Sequence, residues 1–91
     1  MNRAALRLSI TGRVQGVGFR YWLRDRAVAH GLAGWCRNEA DGSVIALVAG
    51  PTAAVDAMVR ECRAGPPSAL VDHVAADAAD DPGGTLFEIR G

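Results

Sequence analysis

The chain has 91 residues, 49% of them hydrophobic, and its ten basic and ten acidic residues cancel to a net charge of zero. That length allows one small domain with one core, and the hydrophobic share excludes a disordered chain. The charge balance removes the electrostatic case for general nucleic-acid or membrane-surface binding, and no apolar run approaches the roughly 20 residues of a membrane span.

All the basic residues are arginine. Without lysine the chain has neither a side-chain amine for Schiff-base chemistry nor a phosphate-loop lysine. The opening stretch MNRAALRLSITGR lacks the apolar segment and small-residue cleavage site of a secretory signal, so a cytoplasmic protein is expected. Cys36 and Cys62 fit that compartment as free thiols in the core, while a bridge between them stays open at this stage. Together with His30 and His73 they form no local pair at zinc-ligand spacing, and no metal is expected.

In chain order, alternation over 5–13 predicts a half-buried strand, with Leu6, Leu8 and Ile10 on one face and Arg7, Ser9 and Thr11 on the other. A turn containing Gly12, Gly16 and Gly18 leads into a helix over 19–30. Phe19, Leu23 and Ala27 form its i, i+4 stripe, and Arg20 and Arg24 share the opposite side. Gly31 supplies the stop. A second strand is expected over 33–38, a hairpin turn at Asp41-Gly42, and a third strand over 43–49. Gly50-Pro51 breaks the chain, Thr52 is placed as an N-cap, and Val55, Met58, Val59 and Cys62 carry helical spacing up to Gly65. After Pro66-Pro67 a fourth strand is expected over 70–76. There Val71 and Val74 break strict alternation, which points to a bulge or an irregular start. Residues 80–84 read as a turn, and a closing strand covers 85–90 with Leu86, Phe87 and Ile89.

The order is β-α-β-β-α-β, with the last strand pair undetermined. That is the split βαβ, or ferredoxin-like, arrangement: an α+β fold with two helices on one face of an antiparallel sheet. No linker or repeat divides it, so residues 1–91 are expected to form a single domain. The fold hosts many unrelated functions, which leaves function to the loop at 12–20 and its neighbours.

Arg20 is an odd choice for the first turn of a helix, where the macrodipole already places about half a positive charge. No acidic residue lies between Met1 and Arg24 to offset it. Either Arg20 reaches into solvent, or its anion comes from outside. The surroundings suit an anion: glycines let another molecule approach the backbone, consecutive amides can converge on it, and a guanidinium makes paired contacts with phosphate oxygens. By alternation Asn38 shares a face with Cys36 and ends its strand just before the hairpin turn. It reads either as a turn-initiating residue or as a neutral amide within reach of a bound phosphate.

The stretches GRVQGVGFR (12–20) and GWCRNEADGSV (34–44) resemble the two signatures of the acylphosphatase family, at the expected separation. The similarity extends over essentially the whole chain, including the Gly65-Pro66 break and the closing Phe87-Glu88-Ile89-Arg90. The resemblance implies a ferredoxin-like enzyme that hydrolyses the carboxyl-phosphate bond of small acyl phosphates without metal or cofactor. It implies that Arg20 binds the phosphate, that Asn38 positions the attacking water, and that the backbone of Gln15, Gly16, Val17, Gly18 and Phe19 completes the substrate site. Inorganic phosphate is then the product and a competitive inhibitor, and neither His30 nor His73 is required. Three departures are visible: Cys36 stands where an aliphatic residue is usual, Ala49 where an acidic one is common, and lysine is absent.

Other classes fit less well. An RNA-recognition module of this fold needs stacking aromatics on its central strands, and 5–13 and 43–49 contain none. A metal-carrying relative of the fold would place paired cysteines in the first loop, where 14–19 has none. The rival that survives is a non-catalytic sensor or delivery module for an acyl phosphate such as carbamoyl phosphate, since acylphosphatase-like domains also occur within larger carbamoyl-transfer enzymes. Trp22 and Trp35 are read as packing residues, with Trp35 also placed to wall the site. No exposed apolar stripe asks for a partner, and a monomer is expected.

Overall fold

The computed structural model describes residues 2–91. Seven elements follow one another: β1 (Arg3–Arg13), α1 (Phe19–Ala29), β2 (Ala33–Asn38), β3 (Val44–Pro51), α2 (Thr52–Ala64), β4 (Leu70–Ala78) and β5 (Phe87–Ile89). The strands form one sheet in the order β4-β1-β3-β2-β5. Two helices on this sheet make the ferredoxin-like α+β fold expected from the element order.

One face of the sheet is apolar because the strands alternate in phase. Leu8 lies opposite Ala46 and Ile10 opposite Val44, and Cys36 meets Ala46 from the other side. These residues share one buried cluster with Phe19, Leu23 and Ala27 of α1 and with Val55, Met58 and Cys62 of α2. Burying such side chains, at about 25 cal/mol per Å² of apolar surface, is what holds both helices to the same face. Neither thiol is bridged.

An antiparallel sheet was expected, with the last strand pair undetermined, and the sheet departs from that pattern at its edge. β5 pairs with β2 in parallel, Gly34 opposite Phe87 and Cys36 opposite Ile89. Strand directions explain the difference. β1 and β2 run one way, β3 and β4 the other. After β4 the chain turns and crosses beneath the start of β1, where Arg3 pairs with Asp81 at 2.8 Å. The reversed chain therefore reaches the free edge of β2 running in the same direction as β2. The reward is Phe87, which is only 6% exposed and joins the core.

Two local expectations also change. Thr52 is the first residue of α2 and not its cap; Pro51 occupies the cap position with no side-chain hydrogen bond, and the Thr52 N–H donates to the Asn2 carbonyl at 3.2 Å. The irregularity at the start of β4 is a register shift against β1, between Thr11 and Gly12, which skips Asp72. Gly31 ends α1 as expected: its N–H donates to the Val28 carbonyl and that of Leu32 to the Ala27 carbonyl, which closes a Schellman motif.

The consequence for the site is positional. β1 and β2 are parallel to each other, with β3 between them, so their C-terminal ends lie at the same end of the sheet. The loop at 14–18 leaves one, Asn38 ends the other, and α1 starts above them. A cleft opens at this end of the sheet.

Candidate active site

A cleft of about 150 Å³ opens there, lined by Val14, Gly16, Gly18, Phe19, Arg20, Tyr21 and Asn38. Gly18 caps α1 in the left-handed conformation, φ 78° and ψ 16°. This sharp change of direction turns the helix start onto the loop instead of continuing the strand. The first backbone bond of the helix runs from the Trp22 N–H to the Gly18 carbonyl at 3.1 Å. The amides of Phe19, Arg20 and Tyr21 precede it and have no helical acceptor. No side chain caps this end, and its first turn holds no acidic residue. The positive end of the helix dipole is therefore left open.

Arg20 adds to that charge. Among the described residues it has no carboxylate partner, whereas Arg26 and Arg37 are paired with Glu61 and Glu39. Its Nη1 donates to the Arg90 carbonyl at 3.3 Å, so the chain just beyond β5 holds the guanidinium while leaving its charge uncompensated. Asn38 stands across the cleft as the neutral group, on the same side of the sheet as Cys36 and Val44.

The other expected residues have different positions. The Gln15 side chain is engaged away from the cleft; its Nε2 donates to the carbonyls of Glu39 and Ser43 at 2.7 and 2.9 Å. It ties the loop to the hairpin that carries Asn38, a link with no signal in the sequence beyond the polar character of the residue. The Val17 carbonyl accepts a hydrogen bond from Ser68 Oγ at 2.9 Å, which anchors the loop from the other side. Gly12 is not part of the cleft either. A Cβ there would stand 2.2 Å from the Leu70 carbonyl oxygen, so this glycine serves the close approach of β4. At Gly16 and Gly18 the same construction meets nothing within 4 Å.

Trp35, considered as a wall of the site, lies opposite Leu47 on the far face of the sheet. It is held there between Arg37 and Arg90, whose Cζ atoms are 4.9 and 5.0 Å from its ring centroid. Two aromatic residues do line the cleft, Phe19 from the core and the exposed Tyr21, which the helical pattern gave no reason to single out.

No carboxylate, imidazole or thiol lines the cleft. Cys36 lies directly behind it, its Sγ donating to the Arg20 carbonyl at 3.7 Å. Burial pushes its thiol up to about 11, against the opposing pull of Arg20 and Arg24, and burial pushes Cys62 up to about 12. Both remain protonated at neutral pH and are poor nucleophiles. His30 is bound to Glu61 between the helices, and His73 is exposed on β4.

The family model for acylphosphatase matches residues 6–89. This chain belongs to the acylphosphatase family. An acylphosphatase of Rhizobium etli is 55% identical over 75 residues, spanning 82% of this chain and 80% of that protein. Among solved structures, an acylphosphatase from Bacillus subtilis superposes with a TM-score of 0.91 at 35% identity, over 96% of this chain and 98% of its own. One from Coxiella burnetii does so with a TM-score of 0.92 at 28% identity, covering 98% and 94%. Membership makes the chain a hydrolase acting on acyl phosphates. An acylphosphatase substrate carries its negative charge on the phosphoryl group, which is what an open helix start beside an unpaired guanidinium accommodates. Among the described residues no helix is long and apolar enough to cross a membrane.

Proposed function

We propose that the cleft holds the phosphoryl group of a small acyl phosphate and directs water at it in line. The observation that carries this reading is the lining itself: amides and one free guanidinium on one side, a neutral amide on the other, and no carboxylate, imidazole or thiol. The backbone N–H groups of Gln15 to Arg20, with the Arg20 guanidinium, stabilise the charge on the equatorial oxygens. Asn38 orients the water. An acyl phosphate leaves as a carboxylate whose conjugate acid titrates at about 4 to 5, as carboxylic side chains do, so it departs without a proton. Water oxygen bonds to phosphorus, the bond from phosphorus to the acyl oxygen breaks, and the water proton passes to a phosphate oxygen. Catalysis is then positioning and electrostatics, and it asks for neither metal nor histidine.

The test is benzoyl phosphate hydrolysis in excess chelator by the wild type, Arg20→Ala and Asn38→Ala. Arg20→Ala is expected to lose turnover by about 10² to 10³ or more, together with inhibition by inorganic phosphate, since one preorganised donor is worth that much. Asn38→Ala is expected to lose turnover while inorganic phosphate still inhibits or protects. Loss of phosphate binding in Asn38→Ala with turnover retained would reverse the two roles. A wild type that binds phosphate without turnover would make the chain a sensor or delivery module.

A further inference from the structure

The cleft is too small to enclose a substrate the size of benzoyl phosphate. Its volume of about 150 Å³ is that of an engineered cavity which holds one benzene ring. A phosphoryl group and its attacking water fill such a space, so the acyl part has to lie at the rim. The residues there leave few ways to meet it. Val14 and Phe19 are 1% exposed, the glycines have no side chain, and Arg20 and Asn38 face the phosphate and the water.

Tyr21 remains, and it is 57% exposed. It is the third residue of α1, and helical side chains lean back toward the N-terminus of their helix. Tyr21 lines the cleft, and a tilt of this kind directs a side chain from α1 back toward the loop. Arg24, one turn on, has its Cζ 5.4 Å from the ring centroid, which braces the ring from the helix side. Among the described residues no second aromatic ring packs on it. An exposed, braced ring thus borders a site whose other side chains address the phosphate end alone.

We propose that Tyr21 is the acyl-side contact of this site, favouring flat acyl groups such as benzoyl over small ones such as acetyl or carbamoyl. This rests on the acyl phosphate reading given above. The contact is one-sided, because the rim is open, and its effect belongs in substrate affinity and not in the chemical step. An aromatic contact of this kind is worth about two- to tenfold in binding.

The experiment is steady-state kinetics with benzoyl phosphate and acetyl phosphate on the wild type, Tyr21→Ala, Tyr21→Gln and Tyr21→Phe. The ratio of kcat/KM for benzoyl over acetyl phosphate is expected to fall about two- to tenfold in Tyr21→Ala and Tyr21→Gln, through the benzoyl KM. Tyr21→Phe, which keeps the ring, is expected to restore the wild-type ratio. An unchanged ratio in both ring-less variants, with the wild type hydrolysing both compounds, overturns the role of Tyr21 and leaves the phosphate site standing. A benzoyl loss expressed in kcat overturns it as well. A wild type that hydrolyses neither compound overturns both this proposal and the reading on which it rests.

Discussion

Glycines at 12 and 18 look equivalent in the sequence, and the structure uses them for opposite reasons. Both have positive φ, 124° and 78°. Around Gly18 there is open space toward the cleft, so Gly18→Ala adds conformational strain alone, about 1 to 2 kcal/mol for an L-residue in the left-handed region. At Gly12 the added methyl would also meet the Leu70 carbonyl oxygen and the Asp72 amide nitrogen, at 2.2 and 2.7 Å. These are backbone atoms of a paired strand and cannot swing aside. Gly12→Ala is therefore expected to destabilise the protein more than Gly18→Ala, as urea midpoints of the two variants will show; the reverse order would mean that β4 is free to move away. The same distinction applies to the cysteines, whose burial and protonation make them packing residues behind the site.

Gln15 shows how one side chain fixes the distance between two elements. Its paired bonds to the carbonyls of Glu39 and Ser43 lock the loop after β1 to the β2–β3 hairpin, and so set Arg20 against Asn38. Gln15→Ala removes two hydrogen bonds, each worth about 0.5 to 1.5 kcal/mol net. Stability measured by urea denaturation is expected to fall by about 1 to 3 kcal/mol, with kcat for benzoyl phosphate falling as Asn38, which we propose orients the water, drifts from Arg20. An unaltered kcat would show that the hairpin holds its position without this tie. Such a link joins residues far apart in the chain, and that explains what the sequence did and did not disclose. Periodicity located both helices and the strands, because it is local: Phe19, Leu23 and Ala27 announced the buried face of α1, and the Val71–Val74 mismatch announced the irregularity of β4. Partner choice is not local. Nothing in Phe87-Glu88-Ile89 states that it will lie parallel to β2, and nothing in Trp35 states that two arginines will hold it on the far face. That Arg20 and Asn38 would come together at one cleft was legible because Arg20 lies in the first turn of α1 and Asn38 ends β2. Tyr21 was not, since a surface aromatic in a helix has no pattern of its own.

Across the whole molecule the two helices are joined by charge as well as by the core. Glu61 of α2 receives both Arg26 of α1 and His30, the residue that caps α1. The Arg26 hydrogen bond, reinforced by His30 and opposed by burial, holds its carboxyl below the ordinary value of 4.5. A carboxyl whose pKa is lower folded than unfolded adds stability that is complete above the unfolded value and disappears as pH falls through the folded one. Urea midpoints recorded from neutral pH down to about 3 are thus expected to fall more steeply in the wild type than in Glu61→Gln below about 4.5. Asp41 and Asp81, held low by Ser43 and Arg3, keep the variant's acid limb from becoming flat. Parallel limbs in the two proteins would show that the interhelical ion pairs carry no net stability. The sheet order has one more effect, on the growing chain. β1 leads into the loop that lines the cleft, and its partners come from residues 44–51 and 70–78. At synthesis rates of about 5 to 20 residues per second, the loop waits several seconds beside an unpaired strand edge. Translation therefore finishes most of the polypeptide before β1 is paired on both sides, and a ribosome paused ahead of residue 70 would present the cell with a bare, adhesive β-ribbon.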